Sequence, residues 1–440
     1  MRKVESGVST LEKEPLYANI APGIWRCSTT ACTVTISSSA YILMARTLDP
    51  HYLGNYLFVQ WLATMIALIM GAGMSIVASQ RIAAIQCRES PRMIAGIFYF
   101  LWYRQRRQLL VYCFLYLLLA FLLSSLLHLY PFSQLLLAGL STLPLLLSNI
   151  AGTTLRGLRR ADLLIMLQLF TVLLSLLLIV VAMRINGKPI EAFQLAFALA
   201  STLTLILAIF CVIRLLPLEK ALQPGIFLKE RLQHSLTRSR LAFFADAIIW
   251  QRGEFLLLAY HCTSTEIGFY ILSSIISNNA IALAPFLLTN IVKPMKVSQR
   301  LRGICLNPYA SFVKISCYLV FVAVPLCILF ILFSPVFVVL CLGSKYIFLV
   351  VPLRIMLIAT VFGSVATASV ARLAALSGEH SVQVRLQFCI ALLKIYLVLV
   401  LSAHWGVTGA AIASTLAQIL SASHSILVCR HILLKREMRF

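Results

Sequence analysis

Between Ala242 and Cys262 the chain reads AFFADAIIWQRGEFLLLAYHC, apolar enough to cross a bilayer yet carrying Asp246, Arg252 and Glu254. A charge at the bilayer centre costs about 2.5–3.5 kcal/mol on insertion scales. A helix bearing three of them must turn them toward protein or a water-filled cavity, so this stretch reads as the lining of a pathway. Of the fourteen acidic residues, only Asp246 and Glu254 fall deep inside an apolar span. On an ideal helix they share one arc, about 80° wide, with Trp250 between them, and Arg252 falls well away from it. Carboxylates there are candidates for ion coupling, because burial favours their protonated form and a nearby cation favours the charged one. Arg252 has no partner on its own helix and looks to a neighbouring helix or to an anionic substrate. The alternative is structural: Asp246 or Glu254 neutralises Arg252 or Lys394 across a helix interface.

Three further cations sit inside spans. Lys394 lies near the middle of LQFCIALLKIYLVLVLSA, too deep to reach the headgroups easily, where it would meet a phosphate, a sugar acid or a buried carboxylate. Arg354 lies about two turns into its span, and Arg26 lies at the rim of the first. All four, Arg252, Lys394, Arg354 and Arg26, are candidate substrate-binding residues. Span one also reads STTACTVTISSS from Ser28 to Ser39, polar enough for a wetted wall or for close packing of small residues. Asn278, Asn279 and Asn290 could bond sugar hydroxyls or neighbouring helices. Gly-rich phosphate loops, H-E-x-x-H and nucleophile elbows are absent, so no catalytic residue and no cofactor is expected. The twelve cysteines are scattered without C-x-x-C, and neither disulfides nor a metal site is expected.

What must position these residues is a set of membrane helices. A mean hydropathy of +0.94, with 61% hydrophobic and 12% charged residues, excludes an ordinary soluble domain, whose charged fraction is about 25%. The pattern predicts an all-α polytopic membrane protein with twelve spans: 22–45, 55–80, 108–129, 134–155, 162–183, 192–216, 242–262, 268–291, 315–338, 347–371, 386–403 and 406–429. The N-terminal segment mixes charge signs without an apolar core and does not read as a cleavable signal. The net charge of +23 would suit nucleic acid if it were clustered, but its distribution is topogenic. Of 37 Lys and Arg, 29 fall in alternate segments and four (Arg46, Arg184, Lys188 and Lys345) in the opposite loops. This predicts both termini in the cytoplasm and an even number of spans.

The halves also repeat. ALASTLTLIL from Ala198 matches AIASTLAQIL from Ala411, LGNY at Leu53–Tyr56 matches IGFY at Ile267–Tyr270, and Arg156 matches Arg372. The offsets are 213, 214 and 216 residues, and the 214 register also pairs Arg26 with Arg240. Six spans per half enter the membrane the same way, a parallel repeat about an axis along the membrane normal. The expected organisation is an N-terminal lobe over 1–216, a basic cytoplasmic linker over 217–241 and a C-terminal lobe over 242–440, around a central cavity.

LGNYLFVQWL and IGFYILSSII, with GSKYIFLVVPLRIM from Gly343 and WGVTGAAIASTLAQIL from Trp405, resemble entry and helix signatures of bacterial polysaccharide exporters. The chain is similar to the O-antigen flippase family of the multidrug/oligosaccharidyl-lipid/polysaccharide exporter superfamily, over nearly its whole length and through diffuse hydrophobic motifs. The resemblance implies transport of a polyprenyl-diphosphate-linked oligosaccharide across the bacterial inner membrane by alternating access, with a cationic cavity and ion coupling. It also implies work beside polysaccharide polymerase machinery, for O-antigen or lipopolysaccharide biosynthesis, and no enzyme activity of its own. A drug exporter of the same superfamily is the alternative. A glycan polymerase or ligase fits less well, because the outer loops are too short to carry a catalytic domain.

Overall fold

Backbone polar groups in hydrocarbon must be satisfied within their own segment, and long apolar runs meet that demand as helices. The computed structural model describes residues 16–71, 78, 82–83, 91–126, 130–158, 160–184, 189–217, 222, 230, 244, 248–249, 253–287, 308–376 and 380–437, and among these it contains no strand. The first half comprises α1 (Leu16–Thr47), α2 (Pro50–Met70), α3 (Pro91–Phe121), α4 (Phe132–Gly157), α5 (Ala161–Ala182) and α6 (Pro189–Leu215). The second comprises α7 (Phe255–His261), α8 (Ser264–Leu287), α9 (Pro308–Cys341), a 3₁₀ turn (Ser344–Leu349), α10 (Val350–Leu376) and the stretch His380–Glu437. Backbone angles inside that last stretch leave the helix at Gly406, with φ 54° and ψ −132°. It is therefore two helices, α11 (380–405) and α12 (407–437). They run back along each other, since Ser421 Oγ donates to Gln387 Oε1 at 2.9 Å. A left-handed φ suits glycine, so the turn is written at that residue.

Eight helical segments among the described residues are long and apolar enough to cross a bilayer, the last of them, Leu386–His431, holding both α11 and α12. Leucines and phenylalanines cover the outward surfaces of α3, α6 and α9, as lipid contact requires. Four helices open on proline, at Pro50, Pro91, Pro189 and Pro308. Proline suits that position because its missing N–H would have no helical partner there. The chain is thus an all-α, multi-pass membrane protein.

Two expected boundaries move. The basic run YRQRR at Tyr103–Arg107, expected in a loop, lies within α3, which starts at Pro91 rather than 108. Arg107 Nη2 bonds the Tyr103 hydroxyl one turn earlier at 3.1 Å. Charge marks which side a segment faces, not where its helix stops. The seventh span, expected to be one helix over 242–262, carries a turn at Gly253–Glu254 before α7. Asp246 and Trp250, the other members of the expected arc, lie outside the described residues.

The repeat is built into the packing. Pro50 and Ser264 open α2 and α8, 214 residues apart. Ser201 Oγ of α6 donates to the Ser141 carbonyl of α4 at 3.0 Å. Thr415 Oγ1 of α12 donates to the Ile355 carbonyl of α10 at 3.2 Å. Donor and acceptor are each shifted by 214, one residue from the 213 of the letter match. Most of the segment 217–241, expected as the linker, lies outside the described residues.

Candidate functional site

The deepest charges described are Glu254 and Lys394, whose side chains are each about 1% exposed and meet at 2.7 Å between Oε2 and Nζ. Glu254 stands in the turn before α7, and Lys394 in the middle of α11. The turn leaves carbonyls of the preceding helical residues pointing inward, and the lysine takes them. Its Nζ lies 3.0 Å from the Ile248 oxygen and 2.8 Å from the Ile249 oxygen. An ammonium has three donors and here meets three acceptors. Tyr270 of α8 donates its hydroxyl to Glu254 Oε1 at 2.8 Å. The cluster ties α7, α8 and α11 around the turn.

Chemically this is a neutralised charge pair at a helix break. Lys394 both balances the carboxylate and donates to the carbonyls of Ile248 and Ile249. Of the two readings left open by the sequence, the geometry joins Glu254 to Lys394 rather than directing Lys394 into open space. Tyr270 belongs to the repeated IGFY landmark but is not picked out by charge. The Ile248 and Ile249 carbonyls carry no sequence signal at all.

The other candidates are placed differently. Arg354 of α10 is exposed, and its Nε bonds the Ile331 carbonyl at 3.1 Å and Ser334 Oγ at 3.0 Å, both on α9. Arg26 lies in α1 with its side chain outside the described residues, and Asp246, Trp250 and Arg252 lie outside them altogether. On α1, Cys32, Thr35 and Ser39 are exposed at helical spacing. Nearby, Ser38 accepts from Asn279 Nδ2 of α8 at 3.2 Å. Asn278 is exposed, and Asn290 lies outside the described residues.

A second arrangement joins the halves at one end, that of the loops poor in Lys and Arg. Gly54 of α2 and Gly268 of α8, the repeat-related glycines, lie against each other. A Cβ on Gly268 would sit 2.7 Å from Gly54 Cα, and one on Gly54 would sit 2.0 Å from the Ser264 carbonyl oxygen. Positions exchanged by a twofold repeat meet one another at its axis. Beside them the halves cap each other's helices. Arg46, in the last turn of α1, donates from Nε to the Cys341 carbonyl at 2.7 Å and from Nη2 to the Leu340 carbonyl, at the end of α9. In return the Tyr346 hydroxyl meets the Ala45 and Leu48 carbonyls at 3.0 and 3.2 Å, at the end of α1. Lys345 and Asp49 complete the ring with an exposed ion pair at 2.7 Å. Tyr130, before α4, bonds Ser264, and burial pushes its phenol up to about 12 against that bond.

The apolar core follows the same division. One buried cluster runs through both halves near these loops, including Tyr56, Phe58, Phe255, Tyr270, Leu349 and Val398. Trp61 of α2 meets Phe255 of α7 there, with ring centroids 4.8 Å apart. The opposite part of the first half has its own core, among them Ile82, Ile97, Leu101, Leu155 and Val212, with no described residue of the second half in it.

No protein-family model and no curated protein matches this chain. Solved structures do. A multidrug resistance MATE family transporter of the MOP superfamily, in its inward-facing conformation, matches with a TM-score of 0.72 at 13% identity, over 94% of this chain and 99% of that one. The lipid II flippase MurJ, in an inward closed conformation, matches at 0.69 and 13% identity, over 92% of this chain and 87% of that one. An outward-facing MATE family transporter matches at 0.55 and 14% identity, over 99% of this chain and all of that one. The chain therefore has the fold of MOP superfamily transporters.

Proposed function

We propose that the protein is a transporter that moves a polyprenyl-diphosphate-linked oligosaccharide across the bacterial cytoplasmic membrane by alternating access, with both termini in the cytoplasm. The observation that carries this reading is the neutralised Glu254. An exporter of cationic drugs needs a carboxylate open to its cargo, and the deep carboxylate described here is held by Lys394 and Tyr270. Cargo bearing a diphosphate suits cations that the sequence places in spans, Arg252 and Arg26, beside a single further carboxylate there, Asp246. The fold of MurJ, itself a lipid II flippase, is compatible with such a substrate. The MATE likeness keeps drug export as the second reading.

In this proposal lobes 1–216 and 242–440 rock about the contact between Gly54 and Gly268. The packed loops form the outer end, so the structure corresponds to the inward-facing state. The higher likeness to inward-facing than to outward-facing relatives supports that assignment. Arg252 receives the diphosphate, and Asp246 and Glu254 exchange protons between states. The decisive measurement is flipping of a fluorescent polyprenyl-diphosphate glycan in proteoliposomes, with and without a pH gradient. Wild type should flip it, Arg252→Ala should lose most of the activity and Arg252→Lys should keep part. Asp246→Asn and Glu254→Gln should lose the response to the gradient. Export of a cationic dye with no flipping would replace this reading by the second.

A further inference from the structure

We propose that Arg354 holds the phosphate of an outer-leaflet lipid against the membrane face of α10. The surface around it is apolar: Ile347, Val351, Ile358 and Phe362 are exposed along the same side. The repeat identifies that side. The hydrogen bonds to the Ser141 and Ile355 carbonyls fix the local register at 214, which sets Arg354 opposite Leu140. Leu140 is 49% exposed, on a helix face it shares with Leu136 and Phe132. One half thus shows lipid a leucine where the other shows it a guanidinium.

A charge on such a face requires a reason. Part of it is local. Pro335 inside α9 has no N–H, so the Ile331 carbonyl one turn earlier lacks its helical donor. Arg354 Nε and Ser334 Oγ both supply that bond, at 3.1 and 2.8 Å. Capping one carbonyl needs one donor, and Ser334 already provides it. The guanidinium has four further N–H groups on its two Nη atoms, and these have no partner among the described residues. Anchored by Nε, the fork faces lipid rather than protein.

Its direction selects the leaflet. Helical side chains lean toward their own N-terminus, and α10 begins at Val350, beside the loop that carries Lys345 and Tyr346. Arg354 therefore leans toward that loop and away from the bilayer centre, as a snorkelling side chain does. The group it meets at that depth is a lipid phosphate, which a planar guanidinium binds in two-pronged fashion. Phospholipid headgroups and a polyprenyl diphosphate both present this chemistry. The site rests on an exposed apolar face of α10, so it does not require the proposed cargo to be right, while the choice of outer leaflet rests on the proposed orientation.

The experiment uses the purified full-length protein in detergent. Native mass spectrometry would follow retention of phosphatidylglycerol, of undecaprenyl diphosphate and of a phosphate-free glycosyl diacylglycerol. Arg354→Leu, which copies the other half, should retain phosphate-bearing lipid about fivefold less well, the effect of one basic residue near the surface. It should leave the phosphate-free lipid unchanged, and Arg354→Lys should fall between. A loss confined to phosphatidylglycerol assigns the site to bulk phospholipid; a larger loss of undecaprenyl diphosphate assigns it to the isoprenoid carrier. Wild-type retention of both phosphate lipids by Arg354→Leu would overturn the proposal. Ser334 still bonds the Ile331 carbonyl in that variant, and Arg354→Gln provides the same comparison should the leucine form be poorly folded.

Discussion

Removing one partner of Glu254–Lys394 leaves a buried charge without its counter-ion, which typically costs about 3–5 kcal/mol. Lys394→Met and Glu254→Gln should therefore each lower thermal stability in detergent strongly. The double variant should recover much of the loss, because contacting residues do not add. A double variant as unstable as the two singles combined would show that the pair is not coupled. The depth of both residues was legible in the sequence, since charges stand out in apolar spans. Their pairing was not. The two lie 140 positions apart, and hydropathy does not say which helices are neighbours. The structural alternative, Asp246 or Glu254 neutralising Arg252 or Lys394 across a helix interface, left the choice of partners open. What selects Lys394 is the turn at Gly253–Glu254 and the carbonyls of Ile248 and Ile249, neither of which leaves a mark on composition.

At the scale of the helices, the contact between Gly54 and Gly268 has no room for a side chain. Gly54→Ala should push α2 off α8 and weaken closure of that end. A cross-link between Asp49→Cys and Lys345→Cys, made with a bifunctional thiol reagent that spans the lysine's reach where the ion pair now stands, should form readily in a cysteine-free background. The added Gly54→Ala change should slow its formation several-fold; an unchanged rate would mean that the glycines do not govern closure. The glycines themselves were visible as a sequence landmark, because the repeat reads LGNY and IGFY at one offset. That they touch follows only from three dimensions. Helix number was legible because lipid imposes length and apolarity on each pass. The N-terminal extension of α3 was hidden because Arg and Gln are good helix formers as well as topogenic residues.

At the scale of the molecule, orientation can be read from a native thiol. Cys262 lies between α7 and α8, on the face where the halves meet, and burial followed by the charge of Glu266 pushes its thiol up to about 11. With Cys262 as the sole cysteine, impermeant maleimide added outside intact spheroplasts should label it slowly at neutral pH and faster as pH rises. The thiolate is the reacting form, and its fraction grows about tenfold per pH unit below that value. Glu266→Gln should lower the thiol's pKa and speed labelling. Labelling only after membranes are permeabilised would invert the topology. The sequence predicts this orientation through the lopsided placement of Lys and Arg, and the labelling tests it. Which end is packed it could not carry, since contacts such as Gly54 against Gly268 arise only in three dimensions.

The mutual capping of α1 and α9 bears on speed as well as shape. In the proposed alternating access, parting of the halves at this end would take four carbonyl contacts from Arg46 and Tyr346, and water would have to replace them. On that proposal a ligand entering from the opposite side would find its receptive form already populated, whereas release would wait on that rupture. Apparent affinity and turnover are thereby set against each other. Loosening the ring would dilute the receptive population and hasten discharge; tightening it would hold ligand well and deliver it slowly.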